Sequence, residues 1–166
     1  MKQIKLTQGY EAIVDDCDYE RVSQFKWRAF VNRSRYTTIV YAVRTVFRND
    51  KRTTEYLHRF LLHLTNSKVE VDHINGDGLD NRRCNIRLAS SRQNKMNTRK
   101  RQCSSTSIYK GVHWSSVKDK WQARIRIDGK KTHLGFFADE EEAARAYNIA
   151  ALNHHGEYAR INNYLN

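Results

Sequence analysis

No apolar stretch in this 166-residue sequence is long enough to span a membrane, and no basic amphipathic helix carries an aromatic face, so a membrane is an unfavoured partner. The first residues, Met1–Lys5, lack the apolar run and cleavage site of a secretory signal, and we therefore expect a cytoplasmic protein. The three cysteines, Cys17, Cys84 and Cys103, suit neither a disulfide framework nor a paired-cysteine zinc site, because they are widely spaced and odd in number. We interpret them as ordinary thiols.

Acidic residues are also scarce. The chain has 18 of them against 30 lysines and arginines, and the resulting net charge of +12 favours a polyanionic partner, most commonly nucleic acid. The excess is greatest in residues 51–107, which hold 12 basic and 5 acidic side chains. In the C-terminal part, residues 108–134 hold 7 basic and 2 acidic side chains, whereas residues 135–166 hold 2 and 5. Only one half of that part is suited to face phosphate groups.

Residues 108–166 have the pattern of a small sheet followed by a helix. Apolar and polar side chains alternate over Trp121–Ile127, which predicts a half-buried strand, and the dipeptide Asp128-Gly129 predicts a tight hairpin turn. Thr132–Phe136 is the predicted partner strand, with Leu134 and Phe136 pointing inward. An earlier strand is expected within residues 108–115.

A helix is predicted to begin after Asp139, whose carboxylate can cap free backbone amides, and to end at Gly156. Glu142 completes a capping-box pattern. Small residues recur at helical spacing along this segment, so one stripe can pack closely on the sheet. His154 lies on that stripe, and we interpret it as a packed histidine.

Four motifs of this module resemble an APETALA2-type DNA-binding domain: residues 109–112 (YKGV), 121–126 (WQARIR), 134–137 (LGFF) and 141–147 (EEAARAY). The resemblance covers nearly all of residues 108–164 and implies a three-stranded antiparallel sheet, packed on one helix, that lies in the major groove of DNA. The positions that it assigns to the DNA-facing surface are Lys110, His113, Arg124, Arg126, Lys131 and His133.

A polar, basic run separates this module from the preceding part of the chain. Residues 98–107 show no apolar periodicity and read as a linker, which contains Arg99, Lys100 and Arg101. Two interpretations stay open: a solvated tether, or a basic arm that lies along DNA. The expected organisation is a domain over residues 1–97, a linker over 98–107 and a DNA-binding domain over 108–166.

The central part predicts a compact strand, turn, strand and helix unit. A short strand over Val69–Val71 ends in Asp72-His73, the turn-rich Asn75–Asn81 reverses the chain, and Ile86–Ala89 forms the second strand. A short helix is expected from about Ser90. Asp72 and His73 can then face Asn94 across the helix.

This set of side chains suits phosphodiester cleavage, which needs a base for water and a cation to neutralise developing charge. His73 suits the first task, because its unperturbed pKa lies near the working pH. Asp72 and Asn94 supply oxygen ligands of the kind that favour Mg²⁺ or Mn²⁺. Asn85 is expected to orient His73 or to brace the loop.

The segment resembles HNH endonucleases, above all the homing-endonuclease branch in which asparagine holds the third motif position. Asn85 follows Asp72 by 13 residues and Asn94 follows it by 22, as in that branch. Residues 9–15 (GYEAIVD), Trp27 and residues 56–59 (YLHR) resemble its N-terminal portion, so the resemblance covers roughly residues 3–97. It implies an α+β fold in which a strand-rich N-terminal part leads into a ββα-metal core.

The sequence therefore predicts a metal-dependent DNA endonuclease that prefers particular sites and carries a major-groove DNA-binding module. Double-stranded DNA is the expected partner, and no obligate protein partner is evident. A catalytically silent DNA-binding regulator is the alternative, and an RNA-binding module is weaker because aromatic stacking signatures are not apparent. Further phosphate contacts are expected from Arg82, Arg83, Arg87 and Arg92, unless these are only solvated charge.

Overall fold

The computed structural model describes residues 1–35, 37–100 and 105–164, so the predictions made for Arg101 and Cys103 lie outside the described residues. The chain divides into two compact units, Met1–Asn94 and Lys95–Asn166, each of which combines antiparallel strands with helices. The predicted α+β class is confirmed. The finer division into residues 1–97, 98–107 and 108–166 stays a prediction.

Short sheets and short helices build the N-terminal unit. The first two strands form a hairpin, the next three form a sheet in the order β3-β4-β5, and the last two form a second hairpin that precedes a helix. The elements in chain order are β1 (Lys2–Lys5), β2 (Glu11–Val14), α1 (Asp16–Ser23), β3 (Arg28–Arg33), β4 (Thr38–Arg48), β5 (Lys51–Tyr56), α2 (Leu57–Leu61), β6 (Glu70–His73), β7 (Ile86–Ala89) and α3 (Ser91–Met96).

Large aliphatic side chains from β2, α1 and α2 fill the core of this unit. Val14, Val22, Leu57 and Leu61 are fully buried there, and the indole nitrogen of Trp27 donates a 2.9 Å hydrogen bond to the carbonyl of Val22. A buried polar group needs such a partner, because an unsatisfied one costs about 1–3 kcal/mol. The indole therefore packs in the core without an unpaired donor.

An ion pair between a buried carboxylate and a half-exposed arginine attaches the β6–β7 hairpin to α1. The carboxylate of Asp18 accepts hydrogen bonds from Nε and Nη2 of Arg83, at 2.7 and 2.8 Å, and a further one from Arg21. The hydrogen bond from Arg83 holds the pKa of Asp18 below its ordinary value. Since Arg83 lies between β6 and β7, this pair fixes the hairpin on the core.

Three strands and one helix form the C-terminal unit: β8 (Val112–Ser115), β9 (Lys120–Ile127), β10 (Lys130–Phe137) and α4 (Glu140–His155). The strands are antiparallel in the order β10-β9-β8. The predicted alternation of β9 is confirmed, since Ala123 and Ile125 are buried and Arg124 and Arg126 are exposed. Asp128 and Gly129 both have positive φ values, 48° and 81°, as the predicted hairpin turn requires.

The prediction that Phe136 points inward is wrong. Its side chain is 38% exposed, because the register of β10 shifts between His133 and Gly135, so that His133 lies opposite Arg124 and Gly135 opposite Ala123. One extra residue in a strand reverses the alternation beyond it. Phe137 packs against the apolar cluster instead.

The predicted start and end of α4 are both confirmed. Oδ1 of Asp139 accepts hydrogen bonds from the amides of Glu141 and Glu142, at 2.8 and 3.0 Å, and Gly156 follows the last helical residue. The interpretation of His154 as a packed histidine is wrong, however. It is exposed, because the packed stripe of the helix ends at Ala151. In the described residues, no helix has the length and apolar character needed to cross a membrane.

Gly111 offers a test of how closely the C-terminal sheet and helix pack. It has a φ of +79°, and an added Cβ would clash with the ring of Tyr147 and lie 2.7 Å from the carbonyl oxygen of Arg124. Gly111→Ala should lower the free energy of unfolding by roughly 3 kcal/mol, the sum of overpacking and backbone strain. Urea unfolding followed by tryptophan fluorescence measures the change.

Gly129→Ala is the matched control. Gly129 has a φ of +81°, and nothing lies within 4 Å of an added Cβ. Backbone strain alone should cost about 1 kcal/mol there. Equal losses in the two variants would show that close packing at Gly111 contributes nothing.

Candidate active site

The predicted ββα arrangement is present in the N-terminal unit. β6 and β7 pair so that Asp72 lies opposite Arg87 and His73 lies opposite Ile86, and α3 follows β7 after one residue. The second strand has the predicted bounds, whereas the first covers Glu70–His73 and so includes the two candidate residues. Both candidates therefore have backbones held by a strand pair.

The loop between β6 and β7 is fixed by its own side chains and by β2. Oδ1 of Asn75 accepts from the amide of Asp77 at 2.8 Å, and Oδ1 of Asp77 accepts from the amide of Leu79 at 3.0 Å, as turn-forming residues do. The backbone of Ile13 in β2 bonds the carbonyl of Leu79 and the amide of Asn81, both at 2.8 Å. The loop thus pairs with β2 through backbone hydrogen bonds on both sides of Asp80.

Asn85 braces this loop. Its Oδ1 accepts from the amide of Asn75 at 3.0 Å, and its Nδ2 donates to the carbonyl of Asp80 at 2.7 Å and to Oδ1 of Asn75 at 3.1 Å. Its own carbonyl accepts from the amide of Ile74, the residue directly after His73. The side chain of Asn85 therefore bonds the loop, and its backbone fixes the chain beside the candidate base.

Asn81 determines which nitrogen of His73 carries the proton. Nδ2 of Asn81 donates to the carbonyls of Leu79 and Gly78, at 3.0 and 3.4 Å, so its Oδ1 faces Nε2 of His73 at 3.5 Å. An amide oxygen accepts hydrogen bonds only, and a neutral imidazole has one donor nitrogen. Nε2 therefore holds the proton and Nδ1 keeps the lone pair.

Aromatic rings enclose His73, which is only 7% exposed. Its ring centroid lies 6.0 Å from that of Tyr41 in β4 and 5.1 Å from that of His58 in α2. Gly78 brings the loop against β4, because an added Cβ would lie 2.6 Å from the ring of Tyr41. The ring of Tyr56 stacks on that of His58 at 5.3 Å.

Burial keeps both histidines neutral. It lowers the pKa of His73, against the opposing effects of the Asn81 hydrogen bond and of nearby carboxylates, of which Asp72 contributes most. It lowers the pKa of His58 to about 3. A neutral imidazole can accept a proton, so His73 has the protonation state that a general base needs.

Asp72 and Asn94 lie in a different environment from His73, since adjacent residues of a strand point to opposite faces. Oδ2 of Asp72 accepts from Nε and Nη2 of Arg87, at 2.9 and 2.7 Å. Nδ2 of Asn94 donates to Glu70 at 2.8 Å and to the carbonyl of Val71 at 3.4 Å. Glu70 and Asp72 share one strand face, and Asn94 reaches that face through Glu70.

Asp72 and Asn94 carry oxygen atoms of the type that a hard divalent cation prefers. In this structure the carboxylate of Asp72 accepts from Arg87, and Nδ2 of Asn94 donates to Glu70. No cluster of three or more histidine, cysteine, aspartate or glutamate side chains suited to a metal occurs in residues 1–35, 37–100 and 105–164. An ion held by Asp72 and Asn94 would therefore take the rest of its shell from water and phosphate, as Mg²⁺ usually does.

Three of the four arginines expected to grip phosphate form ion pairs within the unit. Arg82 bonds Asp80 at 2.6 Å, Arg83 bonds Asp18, and Arg87 bonds Asp72. Arg92 is exposed on α3. That these arginines contact DNA stays a prediction. A paired arginine that contacts phosphate would bind it while it also bonds its aspartate.

Two lysines of the C-terminal unit hold backbone carbonyls. Nζ of Lys100 donates to the carbonyls of Tyr109 and Val112, at 2.6 and 3.0 Å. Nζ of Lys110 donates to the carbonyls of Met96 and Thr98, at 2.6 and 2.7 Å, and burial lowers the pKa of Lys110 to about 8. The segment around residues 96–100 is therefore attached to this unit, and Arg99 lies exposed within it.

The remaining predicted DNA contacts share the sheet face opposite α4. Arg124 lies opposite His133, and Arg126 opposite Lys131. Nη1 of Arg126 bonds the carbonyl of Gly129 at 2.9 Å, and Gln122 bonds Nδ1 of His133 at 2.8 Å. His113 pairs with Gln122 in the neighbouring strand, and burial, aided by the charge of Arg124, lowers its pKa.

Sequence reasoning missed three residues of the site. Asn81 was interpreted as a turn former, although it contacts His73, and Tyr41 lies far from the motif in sequence. Glu70 could have been found, because it precedes Asp72 by two residues and so lies on the same strand face.

Comparisons with known proteins agree with this architecture. Residues 63–96, which contain the ββα segment, match the model of an HNH endonuclease family. An uncharacterised HNH endonuclease of Acanthamoeba polyphaga mimivirus is 34% identical over 111 residues, which cover 64% of this chain and 56% of the viral protein.

Plant transcription factors form the second group of relatives. The AP2-like ethylene-responsive transcription factor AIL7 of Arabidopsis thaliana is 50% identical over 62 residues, 36% of this chain and 12% of the plant protein. An ethylene-responsive transcription factor-like protein of the same plant is 28% identical over 117 residues, 70% of this chain and 47% of its own. The chain thus spans a small part of AIL7 and about half of the viral protein and of the ethylene-responsive transcription factor-like protein. It combines an HNH endonuclease segment with an AP2-like segment.

The low pKa of His58 predicts loss of stability in acid. Folded His58 has a pKa of about 3, against about 6.5 in the unfolded chain, so protons bind the unfolded state preferentially between these values. Its contribution to stability is present above pH 6.5 and is lost as the pH falls towards 3, by about 1 kcal/mol per pH unit. Urea unfolding from about pH 7.5 down to roughly pH 4.5, which covers the upper part of this loss, measures the slope.

His58→Phe removes the titrating group and should make this dependence shallower. His154→Phe is the control, because His154 is exposed and should leave the slope unchanged. Identical slopes in the wild-type protein and in His58→Phe would contradict the assignment.

The tautomer of His73 gives a second prediction. NMR of the nitrogen-labelled ring should show the proton on Nε2, because Oδ1 of Asn81 accepts it. Asn81→Ala should populate both tautomers and cost about 1–3 kcal/mol of stability, since buried partners lose their hydrogen bonds. A wild-type ring protonated at Nδ1 instead would exclude the arrangement.

Proposed function

We propose that the protein is a metal-dependent DNA endonuclease of the homing type, which hydrolyses a phosphodiester bond in its N-terminal unit and binds duplex DNA with its C-terminal unit. The observation that carries the proposal is a neutral, enclosed histidine, His73, at the end of a ββα strand, with the carboxylate of Asp72 at the preceding position on the opposite strand face. The match of residues 63–96 to an HNH endonuclease family supports it.

In the proposed reaction, Nδ1 of His73 accepts a proton from the attacking water, while Asn81 holds the ring by its Nε2 proton. Asp72 and Asn94 would hold Mg²⁺ or Mn²⁺, which neutralises charge that develops on the phosphoryl and leaving oxygens. Asn85 keeps the loop in place through Asn75 and Asp80. The scissile phosphate then lies at the end of β6.

The C-terminal unit would add affinity and site preference. Its exposed sheet face carries Arg124, Arg126, Lys131 and His133, and this arrangement suits a sheet in the major groove. Similarity to AP2-like transcription factors supports this assignment. The homing character and the target sequence rest on resemblance alone.

A catalytically silent DNA-binding regulator is the second candidate. The ion pair between Asp72 and Arg87 favours it, because a carboxylate held by arginine binds a cation less readily. The printed names of the AP2-like relatives, which are transcription factors, also favour it. Cleavage by the purified protein decides between the two candidates.

Nicking of supercoiled plasmid tests the proposal. The wild-type protein should nick DNA with Mg²⁺ or Mn²⁺ and stop when EDTA is added. His73→Ala should lower the rate by about 100-fold or more, since a positioned base contributes this much, and should leave DNA binding unchanged. His154→Ala is the control, because His154 is an exposed histidine outside the site.

Two outcomes would defeat the endonuclease assignment. One is normal nicking by His73→Ala. The other is a wild-type protein that binds duplex DNA but cuts it with neither ion, which would leave the regulator as the better description.

A further inference from the structure

We infer that residues 96–100, here called the arm, are a fixed part of the C-terminal unit that brings Arg99 to a DNA phosphate, and that Lys100 and Lys110 position the arm. The inference rests on the proposed binding of duplex DNA by this unit. Arg99 is then the cation that contacts DNA, whereas the two lysines act through it.

Lys110, which lies just before β8, holds the first half of the arm. Its Nζ donates to the carbonyls of Met96 and Thr98, at 2.6 and 2.7 Å. Asn162 fixes the backbone of Lys110, because its Oδ1 accepts from the Lys110 amide at 2.6 Å and its Nδ2 donates to the Lys110 carbonyl at 3.0 Å. The ammonium therefore extends from a rigid point of the unit, and its charge strengthens both bonds to the arm.

Lys100 holds the other end of the arm against an edge of the sheet. In the described residues β8 is the outermost strand of the order β10-β9-β8, so groups other than a strand must bond its outer edge. Nζ of Lys100 donates to the carbonyls of Tyr109 and Val112, at 2.6 and 3.0 Å. Oγ1 of Thr106 accepts from the amide of Trp114 at 2.8 Å. Lys100 and Thr106 thus both lie along this edge.

The bonds of the two lysines are reciprocal. Each lysine donates to two carbonyls of the segment that carries the other, so four charge-assisted bonds join the arm to the start of β8. A solvated tether, the other interpretation that the sequence leaves open, would make no such bonds. The arm is therefore ordered before DNA binds, and contact with DNA requires little further ordering.

The arm lies beside the sheet face that is proposed to meet DNA. Burial lowers the pKa of His113 most, and the charges of Arg124 and Lys100 lower it further, which places Lys100 near two residues of that face. Similarity to AP2-like domains assigns Lys110 to the same face, but its ammonium contacts the carbonyls of the arm. The arm therefore occupies the place where Lys110 would otherwise meet phosphate.

Arg99 is the exposed cation of the arm, and the bonds of its two neighbours fix its position in the chain. Phosphate backbones border the major groove on both sides, so a cation at the edge of an inserted sheet meets phosphate. A planar guanidinium suits this contact, because it can bond two phosphate oxygens at once. Arg99 thus extends the DNA-binding surface beyond the strands.

A double-variant experiment tests the roles of Arg99 and Lys110. All variants are made in the full chain carrying His73→Ala, and binding to a fluorescein-labelled duplex pool with a randomised centre is measured by anisotropy at several salt concentrations. Arg99→Ala should weaken binding several-fold and reduce the salt slope by about one. Lys110→Met releases the arm and should give nearly the same loss. The double variant should also lose only about one, because both changes remove the same phosphate contact.

Two arginines provide the controls. Arg145→Ala removes one exposed charge from α4, on the side of the sheet away from the proposed DNA face, and should leave the slope unchanged. Arg126→Ala, on the sheet face, should weaken binding independently of the arm. In the free protein, trypsin should cut after Arg99 several-fold faster in Lys110→Met than in the wild-type chain. Lys100→Met repeats the test if Lys110→Met does not fold.

The possible failures are distinguishable. A slope reduced by about two in the double variant would overturn the inference, because Lys110 would then contact phosphate itself. Unchanged binding in Arg99→Ala, beside a loss in Arg126→Ala, would overturn it while duplex binding by the C-terminal unit stands. Equal trypsin rates would show that the lysines do not hold the arm. A wild-type protein that binds no duplex would overturn the proposed function itself.

Discussion

The structure of the candidate site depends on the complete hydrogen bonding of one buried amide. Asn81 is only 1% exposed. Its backbone N–H donates to the carbonyl of Ile13 in β2, and its side chain bonds the carbonyls of Gly78 and Leu79 and Nε2 of His73. Each buried donor or acceptor left unpaired would cost about 1–3 kcal/mol. The same residue therefore attaches the loop to the core and sets the orientation of the histidine.

Much of the positive charge stabilises the fold and is shared with internal partners. Arg83 holds Asp18, Arg87 holds Asp72, and Lys100 and Lys110 hold backbone carbonyls. A net charge of +12 consequently overstates the surface that can meet phosphate. The count of basic residues is therefore a poor guide to the surface that faces DNA.

The sequence predicted those elements that a few neighbouring residues determine. The alternation of β9, the turn at Asp128-Gly129 and the cap at Asp139 each follow from a few neighbouring residues. The bulge near Leu134 could not be predicted, because one inserted residue reverses a strand without changing its composition. Contacts between residues distant in sequence, such as that of Tyr41 with His73, could not be predicted either, because tertiary packing creates them. The roles of the site residues stay predictions.

The end of β6 separates two chemical environments. His73 points into a cluster of aromatic rings, where burial favours the neutral imidazole, while Asp72 points to the opposite face and pairs with Arg87. The charge of Asp72 raises the pKa of His73, but burial has the larger effect and the net shift is downward. A carboxylate on the same face as the imidazole would oppose that shift more strongly. The alternation of a single strand thus lets a buried neutral imidazole and a carboxylate occupy consecutive positions.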